Sequence, residues 1–210
     1  MIAVNIAMSL VLNGIASIPA NHVVFSEVLP IPNSNQVYFI EFYNPTNSSI
    51  DLSNWLVQTP EQTLLLPEDT VIASYSFLLL GEVSEVWPAS WVQPDYWYNF
   101  VGISGTSTGL KLINAVGNVV DAVGWGSPPI GYYEGQPFTI PTVSKSLERR
   151  SGLQHHENGG NGRDTENNLE DFYQRNIPQP QNTESPPERP SSGLEATGLG
   201  MIKAIYGSNP

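Results

Sequence analysis

The sequence from Gly109 to Gly126 reads GLKLINAVGNVVDAVGWG, and this stretch decides the fold class. Leu110 and Leu112 alternate with other residues, as in a strand that buries one face. Gly117-Asn118 supplies residue types that form the tight turn of a β-hairpin. On the second arm the alternating residues are Val119, Asp121 and Val123. The stretch therefore predicts a hairpin over residues 110–123.

Short apolar runs that end at turn residues precede and follow this hairpin. Val37–Tyr43 is a predicted strand, because Asn44-Pro45 stops it and Pro cannot donate to a ladder. Its alternation places Tyr38, Ile40 and Phe42 on one face and Glu41 on the other. The other predicted strands are Val23–Leu29, Thr63–Leu66, Phe77–Leu80 and Lys145–Arg150. Residues 71–73 lead toward the strand Phe77–Leu80. No long run has a helical period, so we expect an all-β sandwich or barrel.

Composition limits the classes of partner. The chain has 210 residues, which suits one domain with flexible ends, and its 40% apolar residues suffice for a core. The net charge is −12 and the first Lys or Arg is Lys111, so the chain offers few cations to a phosphate backbone. We therefore expect neither nucleic acid nor an anionic membrane surface as a partner. Cys is absent, which excludes disulfides and thiolate zinc sites.

The two ends differ in composition from the middle of the chain. Residues 2–20 are uncharged and mostly apolar, which predicts a signal peptide over residues 1–20, with an uncleaved membrane anchor as the alternative. Residues 178–200 are rich in Pro, Ser, Gln and Glu, which predicts disorder. The predicted organisation is thus a signal peptide or anchor, a sandwich with a docked C-terminal segment over 21–182, and a disordered tail over 183–210.

Three motifs in chain order resemble those of the lamin-tail domain family. VYFIEFYN at residues 37–44 is similar to the family's apolar pair, Glu, apolar residue and Asn. DLSNW at residues 51–55 is similar to its Asp-Leu-Ser-Gly-Trp turn, and Asn54 in the Gly position tolerates positive φ. The hairpin resembles the family's closing hairpin, which ends in a Val-Asp pair and an aromatic-Gly pair, here Val120-Asp121 and Trp125-Gly126.

A fourth motif follows the hairpin. Ser146–Arg150, followed by residues 164–172, looks like the segment after this domain in many prokaryotic members. The resemblance covers about residues 23–182 and implies an immunoglobulin-like β-sandwich of the lamin-tail type. We expect structural positions for Glu41, Asp51, Trp55, Asp121, Trp125, Arg149, Asp164, Asp171 and Phe172.

Two patterns associated with catalysis have simpler interpretations. Residues 105–109 match Gly-x-Ser-x-Gly, and Asp121 and His155 follow in the order of a serine hydrolase. That motif needs a helix after its turn, whereas here a strand is predicted. His155-His156-Glu157 cannot place both rings on one helical face as a zinc motif does, so we expect a solvated loop. The sequence predicts no catalytic residues.

Residues 164–171 concentrate oxygen ligands. A Ca²⁺ site would use Asp164, Glu166, Asn168 and Asp171, because Ca²⁺ takes six to eight oxygens from flexible loops. The alternative that we favour is an ion-pair clamp, in which Asp164 or Asp171 contacts Arg149, Arg150 or Arg163. In that case Phe172 would plug the sandwich. We expect no other cofactor.

Aromatic residues crowd the segment from Val86 to Phe100. We expect the candidate binding residues to be Trp87, Trp91, Tyr96 and Trp97, since exposed aromatic rings stack on sugars or form interface cores. The alternative is that most of these rings pack over the sandwich. Trp55 and Trp125 lie in or beside predicted strands and are expected in the core. Glu41 and Asp121 could form a carboxylate pair, but nothing in the sequence places them together.

These observations predict a non-enzymatic interaction or tethering module, extracellular or at the cell surface. Its partner would be a protein or a glycan of the cell envelope, with membrane contact only through an uncleaved N-terminus. The alternatives are a carbohydrate-binding module that uses the aromatic segment, and an accessory domain of an extracellular hydrolase. The resemblance favours the first, because lamin-tail domains are not themselves enzymes, and prokaryotic members often occur on exported proteins.

Overall fold

A computed structural model describes residues 19–84, 86–152 and 156–190. The strands are short, as the closely spaced turn residues predict. In chain order the elements are β1 (Val24–Val28), β2 (Phe39–Tyr43), β3 (Ile50–Asp51), β4 (Leu56–Gln58), β5 (Thr63–Leu65), β6 (Val71–Ile72), β7 (Phe77–Glu82), β8 (Tyr96–Tyr98), β9 (Thr108–Ile113), β10 (Val119–Trp125), β11 (Ser146–Arg149), α1 (Asn168–Asp171) and β12 (Phe172–Arg175).

The strands form two main sheets. One sheet has six strands in the order β12-β11-β1-β2-β7-β8, and the other has four in the order β10-β9-β4-β5. Strands β3 and β6 pair separately. All neighbours are antiparallel except β8, which runs parallel to β7 at the edge of the six-stranded sheet. The predicted all-β sandwich is confirmed.

The core lies between the inner faces of the two sheets. Ile40 and Phe42 of β2 meet Leu110, Leu112 and Val123 of the hairpin there, and all of them are fully buried. Because side chains alternate along a strand, Glu41 lies on the outer face of the six-stranded sheet. The predicted faces of β2 are therefore confirmed, and the same alternation gives this sheet a second, outward face.

The hairpin is present as β9 and β10, with the turn at residues 114–118. The pairing register of the second arm shifts between Val119 and Asp121. One extra residue at such a shift changes the direction of the side chains that precede it. Val119 is 55% exposed, whereas Asp121 and Val123 are fully buried. The expectation that these three residues share a face is therefore wrong for Val119.

The turn at residues 51–55 forms as the motif predicts. The Asp51 carboxylate accepts a hydrogen bond from the Ser53 N–H at 2.8 Å, and the Trp55 N–H donates to the Leu52 carbonyl at 3.0 Å. Asn54 has φ of 64°, the left-handed conformation expected at the Gly position of the motif. This turn directs the chain into β4, with Trp55 packed against the core.

Residues 177–190, which we call the strap, cross the outer face of the six-stranded sheet. The Gln181 N–H donates to Glu41 on β2, and the Tyr43 hydroxyl donates to the Glu188 carbonyl. The Glu188 N–H in turn donates to the Tyr75 carbonyl at 2.8 Å. The sequence predicted disorder from residue 178, but the described part has defined partners. Proline fixes φ and lowers the entropy lost when the strap docks.

The predicted signal peptide or anchor falls almost entirely on residues outside the described part. The chain is described from Pro19, and the Ala20 N–H donates to the Gly162 carbonyl at 2.8 Å. Among the residues described, no helix has the length and apolar character needed to cross a membrane.

Candidate functional site

Arg149 is fully buried between the sheets. Its Nη2 lies 2.8 Å from both carboxylate oxygens of Asp121. Its Nε donates to the Phe25 carbonyl at 2.8 Å, and Nη1 donates to the Arg163 carbonyl at 2.9 Å. The guanidinium lies 4.6 Å from the centre of the Phe172 ring, which is also fully buried. Phe172 therefore fills the end of the core, as the clamp hypothesis expected.

Further carboxylates surround this guanidinium. Arg149 Nη1 lies 3.7 Å from Asp164 and 4.0 Å from Asp171, and Arg163 Nε lies 3.2 Å from Asp171. Burial alone lowers the pKa of Arg149, but Asp121 and the other carboxylates raise it above its ordinary value. Arg150 lies instead over the Tyr173 ring. The structure thus brings together the residues expected in an ion-pair clamp.

Two of the residues proposed for Ca²⁺, Asp171 and Asn168, are engaged by other partners. Both Asp171 oxygens accept hydrogen bonds from Thr165. The Asn168 amide donates to the Ala122 carbonyl at 2.8 Å and accepts from the Gly124 N–H at 2.9 Å. In the ranges that the structure describes, no group of three or more His, Cys, Asp or Glu side chains could hold a metal ion. Asn168 therefore hydrogen-bonds the backbone at the edge of β10, where a neighbouring strand would otherwise pair.

The patterns associated with catalysis do not converge. Ser107 directly precedes β9, and its Oγ accepts from the Ser127 N–H at 3.1 Å, so the motif opens into a strand as expected. Asp121 is held by Arg149, and His155 lies outside the described residues. Glu41 lies on the outer sheet face and Asp121 in the inner cluster, so these two carboxylates do not form a pair.

The outer face of the six-stranded sheet carries a row of carboxyl groups on adjacent strands. Glu27 of β1 is directly opposite Glu148 of β11 on one side and Glu41 of β2 on the other. All of them are at most 7% exposed. Glu41 lies on the strand face opposite Ile40 and Phe42, and there the strap covers it. We call these residues the carboxyl row.

Polar neighbours partly satisfy the carboxyl row. Ser26 donates to Glu41 and Ser146 to Glu27, while Arg175 lies 2.6 Å from Glu148. Burial first, and then the negative charge of Glu148, raises the pKa of Glu27 to about 8. Burial and the charge of Glu27 also raise the pKa of Glu41 well above its ordinary value. Burial therefore favours the protonated forms of Glu27 and Glu41 over the ionised ones.

A cavity of about 420 Å³ lies between the carboxyl row and the strap. Its floor includes Glu27, Glu41 and Glu148, and its wall includes Trp91 and Arg175. The cavity therefore joins the carboxyl row to the aromatic segment, two features that the sequence alone does not connect.

The aromatic segment forms a ladder of rings that starts in the protein interior. Phe39, which is fully buried, contacts Trp91 at 5.3 Å between ring centres. Trp91 contacts Trp87, and Trp87 contacts Trp97, each also at 5.3 Å and nearly edge to face. Gly81 makes the packing possible, because a Cβ there would lie 2.2 Å from Pro94 Cγ. The ladder fixes the orientation of Trp97.

The candidate binding residues differ in exposure. Trp97 is 42% exposed, whereas Trp87 and Trp91 are half-buried. Tyr96 points inward, where its hydroxyl lies 3.1 Å from Thr70 Oγ1, and is not part of the surface. Exposed apolar residues of the same segment are Val83, Val86 and Val92. We call Trp97 and these valines the aromatic surface.

Comparison with protein families matches residues 16–127 to the Lamin Tail Domain, which is more than half of the chain. The chain belongs to the lamin tail domain family. Lamin tail domains are immunoglobulin-like domains that are often involved in interactions. A search among curated proteins finds no match. The family match includes β1 to β10, but β11, β12 and the strap lie beyond it. Arg149 and Glu148 of this lamin tail domain are therefore contributed by the following segment.

Sequence reasoning missed Glu27, Glu148 and Arg175. The signal for Glu27 and Glu148 is that each lies in a strand, β1 or β11, that is buried on both faces. Glu27 lies within the apolar run VVFSEVL, where a solvated Glu is not expected. A Glu inside such a run indicates a buried carboxyl group with polar neighbours.

Proposed function

We propose that this lamin tail domain is an exported, non-enzymatic interaction module that binds a protein partner through the aromatic surface. The observation that supports this proposal is the exposure of Trp97 at the end of a ladder rooted in buried Phe39. A ring held in one orientation loses little conformational entropy on binding. Tryptophan is also among the residue types enriched at interface hot spots.

A protein partner fits this surface better than a glycan does. Sugar stacking needs a free ring face, but Trp87 and Trp91 are half-buried and each contacts two other aromatic rings. The Trp87 indole N–H donates to the Val92 carbonyl at 3.1 Å and is engaged within the protein. Val83, Val86 and Val92 add apolar area without hydrogen-bonding groups for sugar hydroxyls.

Charge suggests the chemistry of the partner. Residues 83–100 contain Glu85 and Asp95 but no Lys or Arg, and the whole chain is strongly acidic. Complementary charge speeds association and selects among partners. We therefore propose a partner segment with aromatic or aliphatic anchors flanked by Lys or Arg.

Export and the absence of catalysis are parts of the proposal with separate support. Export rests on the uncharged, mostly apolar residues 2–20, and N-terminal sequencing of the mature protein would test it. The non-enzymatic assignment rests on the family and on the engagement of Ser107 and Asp121 in structural contacts. Measurable hydrolysis of ester or phosphate substrates would contradict it.

The binding experiment is selection from a displayed peptide library, followed by affinity measurement for the enriched peptides. We expect enriched sequences that combine aromatic or aliphatic residues with Lys or Arg. The variant Trp97→Ala should weaken their binding by about tenfold or more, the effect of removing an interface hot spot. Ile130→Ala is the matched control, because Ile130 is 92% exposed in a different loop.

The alternatives predict different results. If both variants bind the peptides like the wild type, the aromatic surface is not the site. Binding of oligosaccharides on a glycan array, lost in Trp97→Ala, would instead support the carbohydrate-binding alternative. Enrichment of acidic peptides would contradict the proposed charge of the partner.

A further inference from the structure

The strap is attached to the sheet through the carboxyl row. The Gln179 N–H donates to Glu27 at 3.3 Å, and the Gln181 N–H donates to Glu41 at 2.6 Å. Pro178 and Pro180 lack an N–H, so these two amides are the backbone donors of this stretch. The strap therefore contacts β1 and β2 here through side-chain carboxyl groups, and not through a strand ladder.

Charged groups around the carboxyl row are mostly acidic. Glu148 lies beside Glu27, and the strap contributes Glu188 to the same cavity. The other titratable groups that face the row are Tyr173 and Arg175 from β12 and His156 and Glu157 from the preceding loop. Arg175 is already shared between Glu148 and Glu157. Full ionisation of Glu27 and Glu41 would thus place adjacent negative charges in a covered site.

The same strap holds the segment that carries the tryptophan ladder. The Asn182 amide donates to the Gln93 carbonyl at 2.9 Å, and the Thr183 hydroxyl donates to Asp95. Asp95 in turn accepts from the Leu79 N–H of β7 at 2.8 Å. Residues 86–95 are therefore fixed on one side by the sheet and on the other by the strap.

We infer that the strap is a pH-sensitive latch, closed while Glu27 and Glu41 carry protons and opened by their ionisation, which removes the strap's hold on residues 86–95. Closure keeps Glu27 and Glu41 out of water and beside other carboxyl groups, and this penalty on their ionised forms outweighs the hydrogen bonds that serine hydroxyls and strap amides donate to them, whereas opening returns them to water. This inference does not depend on the proposed partner, because it concerns the strap and its hydrogen bonds alone.

The direction of the pH effect follows from proton linkage. The pKa of Glu27 is about 8 under the closed strap, because of burial and then Glu148, against an ordinary value of 4.5. The closed state therefore holds its proton more tightly than an open state with solvated carboxyl groups. Closure is most favourable below an ordinary carboxyl pKa, weakens as pH rises, and reaches its weakest point above about 8.

Amide hydrogen exchange measured by NMR on the full chain tests the latch. Gln179 and Gln181 are suitable probes, since Gln179 lies between two prolines and Gln181 follows one. We expect their protection factors, corrected for the intrinsic exchange rate, to fall about tenfold or more between about pH 5.5 and about pH 8.5. Amides of residues 86–95 should lose protection in parallel. Leu112 in the hairpin is the internal reference and should change little.

The variants Glu27→Gln, Glu41→Gln and their combination remove the titrating groups while keeping side-chain size. We expect each single variant to reduce the pH dependence and the double variant to abolish it, with Glu68→Gln, an exposed Glu, as the matched control. Equal strap protection at both pH values in the wild type would overturn the inference. So would a pH dependence that persists unchanged in both single variants, which remain informative if the double variant does not fold.

Discussion

Nη2 of Arg149 in the six-stranded sheet contacts both carboxylate oxygens of Asp121 in the four-stranded sheet, and neither side chain of this ion pair is exposed to solvent. The pair crosses the core, while Arg149 also donates to the Phe25 carbonyl in the neighbouring strand of its own sheet. Antibody domains join their two sheets at the core by a disulfide. This chain has no Cys, and an ion pair occupies the equivalent role of linking one sheet to the other.

We predict that Arg149→Met and Asp121→Asn each lower the free energy of unfolding by about 3–5 kcal/mol, the cost of breaking a buried ion pair by removing one of its members. Urea unfolding at neutral pH would measure this loss. The double variant Arg149→Met/Asp121→Leu should lose less than the sum of the single losses. Lys145→Met is the control and should change stability little. Single variants with wild-type stability would show that the pair does not stabilise the sandwich.

Asn168→Leu should lower the free energy of unfolding by about 2–4 kcal/mol, because it leaves the N–H groups of Gly124 and Glu134 without an acceptor. Leu169→Ala, at a neighbouring residue that is 40% exposed, is the control. Thermal denaturation monitored by circular dichroism would compare them. Equal losses in both variants would mean that the amide of Asn168 has no special role at β10.

Millimolar Ca²⁺ should leave the thermal midpoint unchanged. The carboxylates of Asp164 and Asp171 face arginine side chains, and Asn168 is engaged by the backbone of β10. A ligand that binds only the native state raises the midpoint by mass action, so the measurement is sensitive to a real site. A rise that is lost in Asp164→Asn would restore the Ca²⁺ hypothesis.

Gly81→Ala should disturb the tryptophan ladder. The added methyl group would lie 2.2 Å from Pro94 Cγ and 2.9 Å from the Trp87 ring, so both must move. We expect a loss of about 1–3 kcal/mol, typical of overpacking, and a red shift of tryptophan fluorescence. Val83→Ala removes apolar area from the same surface without touching the ladder. Fluorescence that is unchanged in Gly81→Ala would indicate that the rings are free to rearrange.

Glu134 should make the protein less stable as pH rises. One of its oxygens accepts from the Ala122 N–H at 3.2 Å, and the other is buried without a partner in the described chain. Burial, and then the charge of Asp121, raises the pKa of Glu134 to about 9. A raised folded-state pKa gives stability that is complete below the ordinary carboxyl pKa and is lost as pH rises through about 9.

The expected outcome is a urea midpoint that falls between about pH 5 and about pH 9, with a shallower fall in Glu134→Gln. The slope that remains in this variant reports Glu27 and Glu41, which titrate in the same direction. Glu68→Gln serves as the exposed control. A wild-type midpoint that rises over this range would contradict the assignment.

Much of the sandwich is predictable because local pattern and burial agree there. Ile40 and Phe42 alternate with Glu41, and Leu110 and Leu112 precede a turn sequence, so period and turn chemistry indicate the same structure. β8 was missed because Tyr96–Tyr98 is three residues long and follows a proline-rich stretch. Its strand conformation depends on pairing with β7, a contact that local propensity does not report.

The outer face was not predictable for a different reason. Glu41 has the sequence context of a solvated strand residue, and its burial depends on Gln181, which follows it by 140 positions. Proline-rich composition indicates that a segment does not form helix or sheet, but it does not show whether that segment docks. The cover over Glu41 is thus a property of tertiary structure alone.

The contact between Arg149 and Phe25 also has a consequence for biosynthesis. The two residues are 124 positions apart, so β1 leaves the ribosome long before the arginine that binds its carbonyl exists. Until β11 is made, β1 has one open edge, and Asp121 has no cation. Such distant pairing slows folding and leaves strand edges exposed to other chains. We expect nascent chains that end at residue 127, where the family match ends, to bind chaperones instead of folding.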